Sequence, residues 1–401
     1  MANYDAIIVG ARCAGSPAAM LLARKGYRVL VVDRAEFPSD ALSTHVVQPR
    51  GIDALKRWGL LDRVIATGCP PMHTYVFDFG PVTISGTPGD HDSPVAYCPR
   101  RILLDEILVD AASDAGAEVR EEFSVDDVLF ENGRVIGVKG HGKNGSTVTE
   151  YAKVVIGADG RHSLVARAVR PEQYREIPPL QGGYYTYFSN FPVGGKFEIH
   201  IRPNCGFGIA PTNDGLTMIV VGWAIADYDW KKNDYAANYR KTLESIPEVA
   251  DRLHRAKQED RFYGGATPNF FRKPYGAGWA LIGDAGCEKD PITAQGITDA
   301  FLSAERCAQA LDEAFSGARS FEAAMSDYQR ARDERILPMY ELTTQLAAMQ
   351  PPPPEMQQLL GAIHGNREAM DQFAQMNAGT LSPRQFFDPQ NLGALMAVQQ
   401  R

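Results

Sequence analysis

Ala6-Ile7-Ile8-Val9-Gly10-Ala11-Arg12-Cys13-Ala14-Gly15 runs from an unbroken apolar tetrad straight into a cluster of small residues. Pro17 to Lys25 then reads as a helix closed by Gly26, and Arg28-Val29-Leu30-Val31-Val32 reads as a second strand. Continuous aliphatic residues without alternation mark parallel strands that are buried on both faces. The unit is strand, turn, helix and strand over about thirty residues, the span of a parallel crossover. Gly10 permits a tight exit from the first strand, and Gly15 permits close packing of helix on sheet. The helix start at Ala14 and Gly15 presents unpaired backbone N–H groups to a pyrophosphate. Asp33, followed by Arg34, ends the second strand where a carboxylate can accept ribose hydroxyl hydrogen bonds. Arg12 takes the place of the usual middle glycine. Its guanidinium either pairs with an anionic phosphate or points outward from the turn.

Around this unit, 401 residues suffice for one large α/β domain with a second one embedded in it. Hydrophobic residues make up 44% and charged residues 22%, ordinary values for a globular protein. The net charge of −8 argues against nucleic acid and anionic membrane as partners, since both reward basic clusters. The apolar stretch from Leu216 to Ala226 is too short to span a bilayer. Met1-Ala2-Asn3-Tyr4-Asp5 lacks the positive flank of a signal peptide. The six cysteines show no short paired spacing, so no metal site is expected, and reduced thiols in a cytoplasmic enzyme are the simplest reading.

A helix is expected from Arg101 to Ala115, followed by hairpin turns at Glu131-Asn132-Gly133 and Lys143-Asn144-Gly145. They suggest a small meander leading into Val154-Val155-Ile156. The aromatic and β-branched texture from about Gln181 to Phe270 suggests a separate strand-rich region. Ala280-Leu281-Ile282 returns to buried-strand character and feeds a helix beginning near Gly296. Beyond Tyr328 the chain reads as mostly helical, with Pro351-Pro352-Pro353-Pro354 extended between helices. The expected fold class is α/β: a Rossmann-like nucleotide-binding domain with an inserted β-sheet substrate domain and a helical C-terminal tail. The nucleotide-binding domain is assigned to 1–75, 100–175 and 271–330, the substrate domain to 76–99 and 176–270, and the tail to 331–401.

Taken together, the segments around Gly10 to Arg34, Arg101-Ile102-Leu103-Leu104-Asp105, Gly157-Ala158-Asp159-Gly160 (with Ser163 and Arg167) and Gly283-Asp284 (through Pro291 to Gly296-Ile297) resemble the aromatic-hydroxylase class of FAD-dependent monooxygenases. The resemblance spans roughly residues 4 to 310. It implies that FAD is the cofactor, that Asp284 binds the ribityl chain, and that Arg101 and the Val125 backbone contact FAD. Asp159 and Gly160 would sit near the cofactor. It further implies that NADH or NADPH reduces the flavin and that oxygen reaches a small organic substrate through a flavin C4a-hydroperoxide. The Gly296 and Ile297 N–H groups, opening a helix, would stabilise negative charge on the flavin edge, while Pro291 would stiffen the loop over the ring. The family usually has glycine where this chain has Ala294.

On the substrate side, Tyr185, Tyr187, His200, Arg202 and Trp223 are candidates to line the pocket, with core packing the competing role for each. His45 is expected near the flavin, either as a proton shuttle or as a residue that holds its loop. The tail would cover the pocket or support a dimer, leaving monomer and homodimer both open. Three further readings share the scaffold. A halogenase would need a lysine between flavin and substrate and a W-x-W-x-I-P sequence, whereas Trp223 is followed by Ala224-Ile225-Ala226. A prenyl-chain reductase finds support in Gly286 after Gly283-Asp284-Ala285. A non-catalytic flavin-binding protein is the remaining alternative.

Overall fold

The computed structural model describes residues 3–397. Trp279–Leu281, Thr147–Gly157, Tyr4–Val9, Val29–Val32 and Glu118–Arg120 lie side by side in that order, and every neighbouring pair is parallel. The unbroken apolar runs follow from this arrangement, because both faces of the sheet are covered. Ala6, Ile8, Val29 and Val31 pack with the helices Gly15–Ala23, Arg101–Asp114 and Gly296–Phe315. Ile7, Val9, Leu30 and Val32 pack on the other side with Phe123, Val135, Val155 and Leu281. The antiparallel strands Ser124–Glu131 and Arg134–His141 extend from the first half of Thr147–Gly157 as the expected meander. Asn132 and Gly133 turn it with φ of 49° and 77°, the left-handed pair that a two-residue hairpin requires.

A second sheet runs in the order Lys257–Gln258, Gln181–Ser189, Thr217–Ala224, Cys205–Pro211, Lys196–Arg202, Thr74–Asp78 and Thr83–Gly86, with Tyr263–Ala266 also paired to Gln181–Ser189. Its outer face carries Phe207, Ile209, Ile219, Val221 and Trp223 against Tyr239, Leu243 and Val249 of short helices. Its inner face carries Tyr185, Phe197 and Met218, and looks toward the parallel sheet. Fold class and embedded sheet are thus as the sequence predicts.

The helix Phe321–Ala347 packs on Gly296–Phe315 and runs without a break through residue 331. The later helix Pro354–Ile363 packs on Arg367–Ala378, which covers the edge strand Thr83–Gly86. His364 Nδ1 lies 2.9 Å from the Thr83 carbonyl oxygen, and Asp371 accepts from the Thr87 N–H at 2.7 Å. A Cβ on Gly86 would stand 2.3 Å from the Met370 carbonyl oxygen, so glycine there permits the close approach. The tail therefore closes the exposed ladder of an edge strand. Its last four residues, 398–401, lie outside the described residues. No helix among the described residues is long and apolar enough to cross a membrane.

Candidate functional site

Parallel strands end on one edge, and chain order reverses on either side of Tyr4–Val9, which is where open α/β sheets form a ligand crevice. Gly10 and Asp33 follow their strand ends directly, Asp159 and Asp284 lie in the turns just after theirs, and all four line one cavity of about 770 Å³. Gly10 adopts φ of 103°, and a Cβ on it would lie 2.5 Å from the Ala158 carbonyl oxygen. A Cβ on Gly15 would lie 1.7 Å from the Gly10 carbonyl oxygen, so the helix can start this close to the strand only with glycine there. Asp33 braces the turn, accepting from the Ala11 N–H at 2.8 Å and the Ala35 N–H at 2.9 Å. Neither Gly15–Ala23 nor Gly296–Phe315 has a side chain capping its first turn. Unpaired N–H groups at Ala14, Gly296 and Ile297 therefore meet the cavity.

Arg12 does not point outward. Its guanidinium donates to Asp105 at 2.6 Å and to the Ser39 hydroxyl at 2.9 Å. Arg101 donates to both oxygens of the same carboxylate, at 3.0 and 2.9 Å. Asp105 has no solvent exposure and also accepts from the Cys13 thiol at 3.4 Å. Two cations on one buried anion leave net positive charge where Arg12 and Arg101 enter the cavity wall. The sequence had a signal for this residue, since Arg101 and Asp105 stand one helical turn apart, but nothing local connects Asp105 to Arg12.

Asp159 is turned inward. It accepts from the Ser163 hydroxyl and from the Leu164 N–H at 2.6 Å, and so supports Ser163, which caps the helix Leu164–Val169 by accepting from the Ala166 N–H. Asp284 contrasts with it. Its carboxylate is exposed at the cavity, with no hydrogen-bond donor from the described residues, and the surrounding protein atoms raise its pKa although Lys289, Arg101 and Arg161 pull the other way. Arg34, Val125, Gly160 and Pro291 also line the cavity. Ala294 adopts φ of 50°, so the loop takes the left-handed conformation even where alanine replaces the family's glycine.

The substrate-side candidates separate. Tyr185 lines the cavity, and its hydroxyl accepts from the Ser43 N–H at 3.3 Å. Tyr187 stands behind it, outside the wall, bonded to His45 and stacked on it. His45 is fully buried, and burial pulls its pKa down to about 3 with Arg101 and Arg100 acting in the same sense. The ring lies outside the cavity wall, and its bond to Tyr187 ties its loop to the second sheet. His200 belongs to the wall, but its ring is held by Asp78 at 2.8 Å and stacked on Phe207. Arg202 is tied to the same carboxylate at 2.7 Å and lies outside the wall.

Trp223 does not reach the cavity either. It sits on the outer face of the second sheet with no solvent exposure, and its Nε1 donates to the Thr242 hydroxyl at 3.0 Å. Side chains alternate along a strand, so Met218, Val220 and Gly222 of the same strand face the cavity instead. Trp223→Phe is expected to lose about 1 kcal/mol of stability in urea unfolding, the worth of one buried hydrogen bond. Flavin content and substrate binding should stay unchanged, and a change in either would return Trp223 to the pocket.

Sequence reasoning missed most of the far wall. It includes Gly182, Gly183, Gly206, Gly208 and Gly222 with Phe197, Ile199, Met218 and Val220, and Met349 reaches it from just beyond the long helix. At the junction between this wall and the strand ends stand Arg161, Glu288, Lys289 and Asp290. The Lys289 ammonium is ion-paired with Asp299.

A family model described as FAD binding domain matches residues 3–341. The chain belongs to this FAD-binding family, that of the aromatic hydroxylases. Among curated relatives, digeranylgeranylglycerophospholipid reductase of Methanocella arvoryzae is 26% identical over 321 residues, covering 75% of each chain. The solved structure of the myxobacterial chondrochloren halogenase CndH superimposes with a TM-score of 0.81 at 22% identity, over 94% of this chain and 99% of that one. PqsL of Pseudomonas aeruginosa, described as a probable FAD-dependent monooxygenase, gives 0.68 at 20% identity, over 92% and 98%. These likenesses show the fold.

The residues present fit FAD. The glycine turn and the uncapped start of Gly15–Ala23 suit the pyrophosphate, Asp33 suits the adenosine ribose, and Asp284 has a free carboxylate for a ribityl hydroxyl. The uncapped start of Gly296–Phe315 suits the electron-rich edge of the flavin ring. Asp284→Ala is expected to weaken FAD binding on the order of 10-fold, because a hydroxyl loses a charged acceptor. Equilibrium dialysis against FAD measures this, and unchanged affinity would remove Asp284 from the site.

Proposed function

We propose that the protein is a monooxygenase that uses FAD, NADH or NADPH, and oxygen to hydroxylate a small aromatic or otherwise hydrophobic substrate. The observation that carries this reading is the continuity of the cavity. One continuous cavity joins the nucleotide cradle, the Gly296-Ile297 helix start and an apolar, glycine-rich wall. Bound FAD would supply the redox chemistry, taking hydride equivalents from the nicotinamide and activating oxygen. The chain's own part is to hold the substrate against the second sheet, to exclude water with Phe197, Ile199, Met218 and Val220, and to place positive helix-end potential beside the ring.

A halogenase finds less support, because the lysine of the cavity wall, Lys289, is committed to Asp299. A reductase of prenyl-type chains is the second reading, favoured by the 26% identity to the archaeal reductase and by the apolar wall. Anaerobic stopped-flow mixing with NADPH and NADH tests reduction. Turnover of an aromatic and prenyl panel under labelled oxygen, read by mass spectrometry, tests the chemistry done on the substrate. One labelled oxygen atom in the product is expected. A saturated alkene without label would establish the reductase reading, halide in the product would establish the halogenase, and no reduction by either donor would overturn both NAD(P)H-dependent readings.

A further inference from the structure

The segment Cys287-Glu288-Lys289-Asp290 places charged groups at the junction of the strand ends and the apolar wall. Glu288 pairs with Phe270 across the short sheet and is only 7% exposed, yet it belongs to the cavity wall and its Oε2 has no hydrogen-bond partner among the described residues. Asp290 Oδ2 and Asn269 Nδ2, beside it in the chain and across the strand pair, are buried and without a partner among the described residues. Asp290 is nevertheless committed through its other oxygen, which accepts from Gln181 and from the Ile292 N–H and so shapes the Pro291 turn. Arg161 stands 3.8 Å from Glu288 Oε1, and its hydrogen bond to the Thr267 hydroxyl at 3.1 Å leaves further N–H groups open to the cavity. A buried polar atom without a partner is costly unless a ligand completes it.

The charges around Glu288 restrict what that ligand is. Arg161 follows the strand end at Gly157, Arg272 comes from the strand Asn269–Arg272, and Lys289 is its neighbour. These cations disfavour a cationic ligand group. Asp284 faces Glu288 from the turn Gly283–Ala285, and Asp159 and Asp290 line the same cavity, so an anionic group is disfavoured as well. A neutral oxygen suits both sets.

We propose that Arg161 and the carboxyl group of Glu288 form a two-donor clamp for one carbonyl-type oxygen of the substrate. The apolar body of that substrate lies along Gly182 and Gly183 toward Phe197, Ile199 and Met218. Burial, reinforced by Asp284, pushes the Glu288 carboxyl up to about 9, so at neutral pH it carries the proton that it donates. The assignment rests on the reading that this cavity holds an apolar organic substrate, and it narrows that class to molecules with one accepting oxygen near the redox ring.

Acetophenone and ethylbenzene differ in that oxygen and little else, and serve as probes of the FAD-bound enzyme. Acetophenone is expected to bind with its carbonyl stretch lowered relative to water. Glu288→Leu and Arg161→Met should each weaken acetophenone about 3- to 10-fold, with ethylbenzene and FAD content unchanged. Raising the pH through about 9 should erase the advantage of acetophenone in the wild type. Glu288→Gln, which keeps an N–H donor, should retain affinity at pH 7 and lose this pH dependence. An unshifted carbonyl stretch in the wild type, or equal weakening of both probes in the variants, overturns the clamp. Binding of ethylbenzene alone overturns it while leaving the apolar cavity intact, whereas failure of both probes removes the substrate reading itself.

Discussion

Asp105→Ala is expected to cost about 3–5 kcal/mol of folding stability, the loss found when one partner of a buried ion pair is removed and the other stays. Asp105 is fully buried and receives Arg101 at 3.0 and 2.9 Å and Arg12 at 2.6 Å. Without the carboxylate, two guanidinium groups repel each other beneath the nucleotide turn, Arg12 keeping the Ser39 hydroxyl and the Phe37 ring while Arg101 loses both of its hydrogen bonds. Arg101 is itself only 8% exposed, so water cannot replace what is lost. The double variant Asp105→Leu with Arg101→Leu should recover part of the deficit, because hydrophobic replacement of a whole buried pair is often neutral. Urea unfolding of apoprotein and FAD-bound protein measures both effects. A loss below about 1 kcal/mol for Asp105→Ala would show that this ion cluster does not hold the turn.

Gly10→Ala is expected to lower FAD affinity on the order of 100-fold or more. The backbone at Gly10 is left-handed, with φ of 103°, which strains any L-residue by about 1–2 kcal/mol. The added methyl group would also stand 2.5 Å from the Ala158 carbonyl oxygen, and overpacking of this kind adds about 1–3 kcal/mol. Relief requires the first strand to move away from the end of Thr147–Gly157, which carries Asp159 with it. Gly26→Ala separates the two causes. It has φ of 86° with nothing within 4 Å of the new methyl, so it should show the strain and leave FAD binding intact. Equal effects of the two substitutions would mean that strain alone, and not the close approach to Ala158, governs the cradle.

Sequence and structure agree best where the signal is local. The apolar tetrads, the glycines at 10 and 15, and Asp33 lie within one crossover unit, so covalent connection already fixes most of their geometry. The hairpin at Asn132-Gly133 is equally local, since the turn's dihedral demand is met by the two residues themselves. Gly157-Ala158-Asp159 and Gly283-Asp284 were legible through the family resemblance, and the structure brings them together because parallel strands must end on the same edge.

The substrate wall was less legible because strand alternation says which residues share a face, but not what that face meets. Tyr185 and Tyr187 do share the inner face, yet only Tyr185 reaches the cavity, since His45 and Arg100 occupy the space beside Tyr187. Trp223 fell on the opposite face because the neighbouring helix Tyr235–Glu244 provides Thr242 for its indole N–H. Arg12 and Asp105 are far apart in the chain, and their pairing depends on how the helix Arg101–Asp114 packs on Gly15–Ala23. Glu288 gave no sign of its role, because an acid in a charged run reads as solvated until the sheet beside it is built.

FAD binding is tested most directly by titrating the folded apoprotein with FAD and reading the flavin's absorbance and fluorescence. Saturation at one FAD per chain in the wild type, with loss of tight binding in Gly10→Ala, is the predicted result. A folded wild-type protein that leaves the spectrum of added FAD unchanged would contradict it.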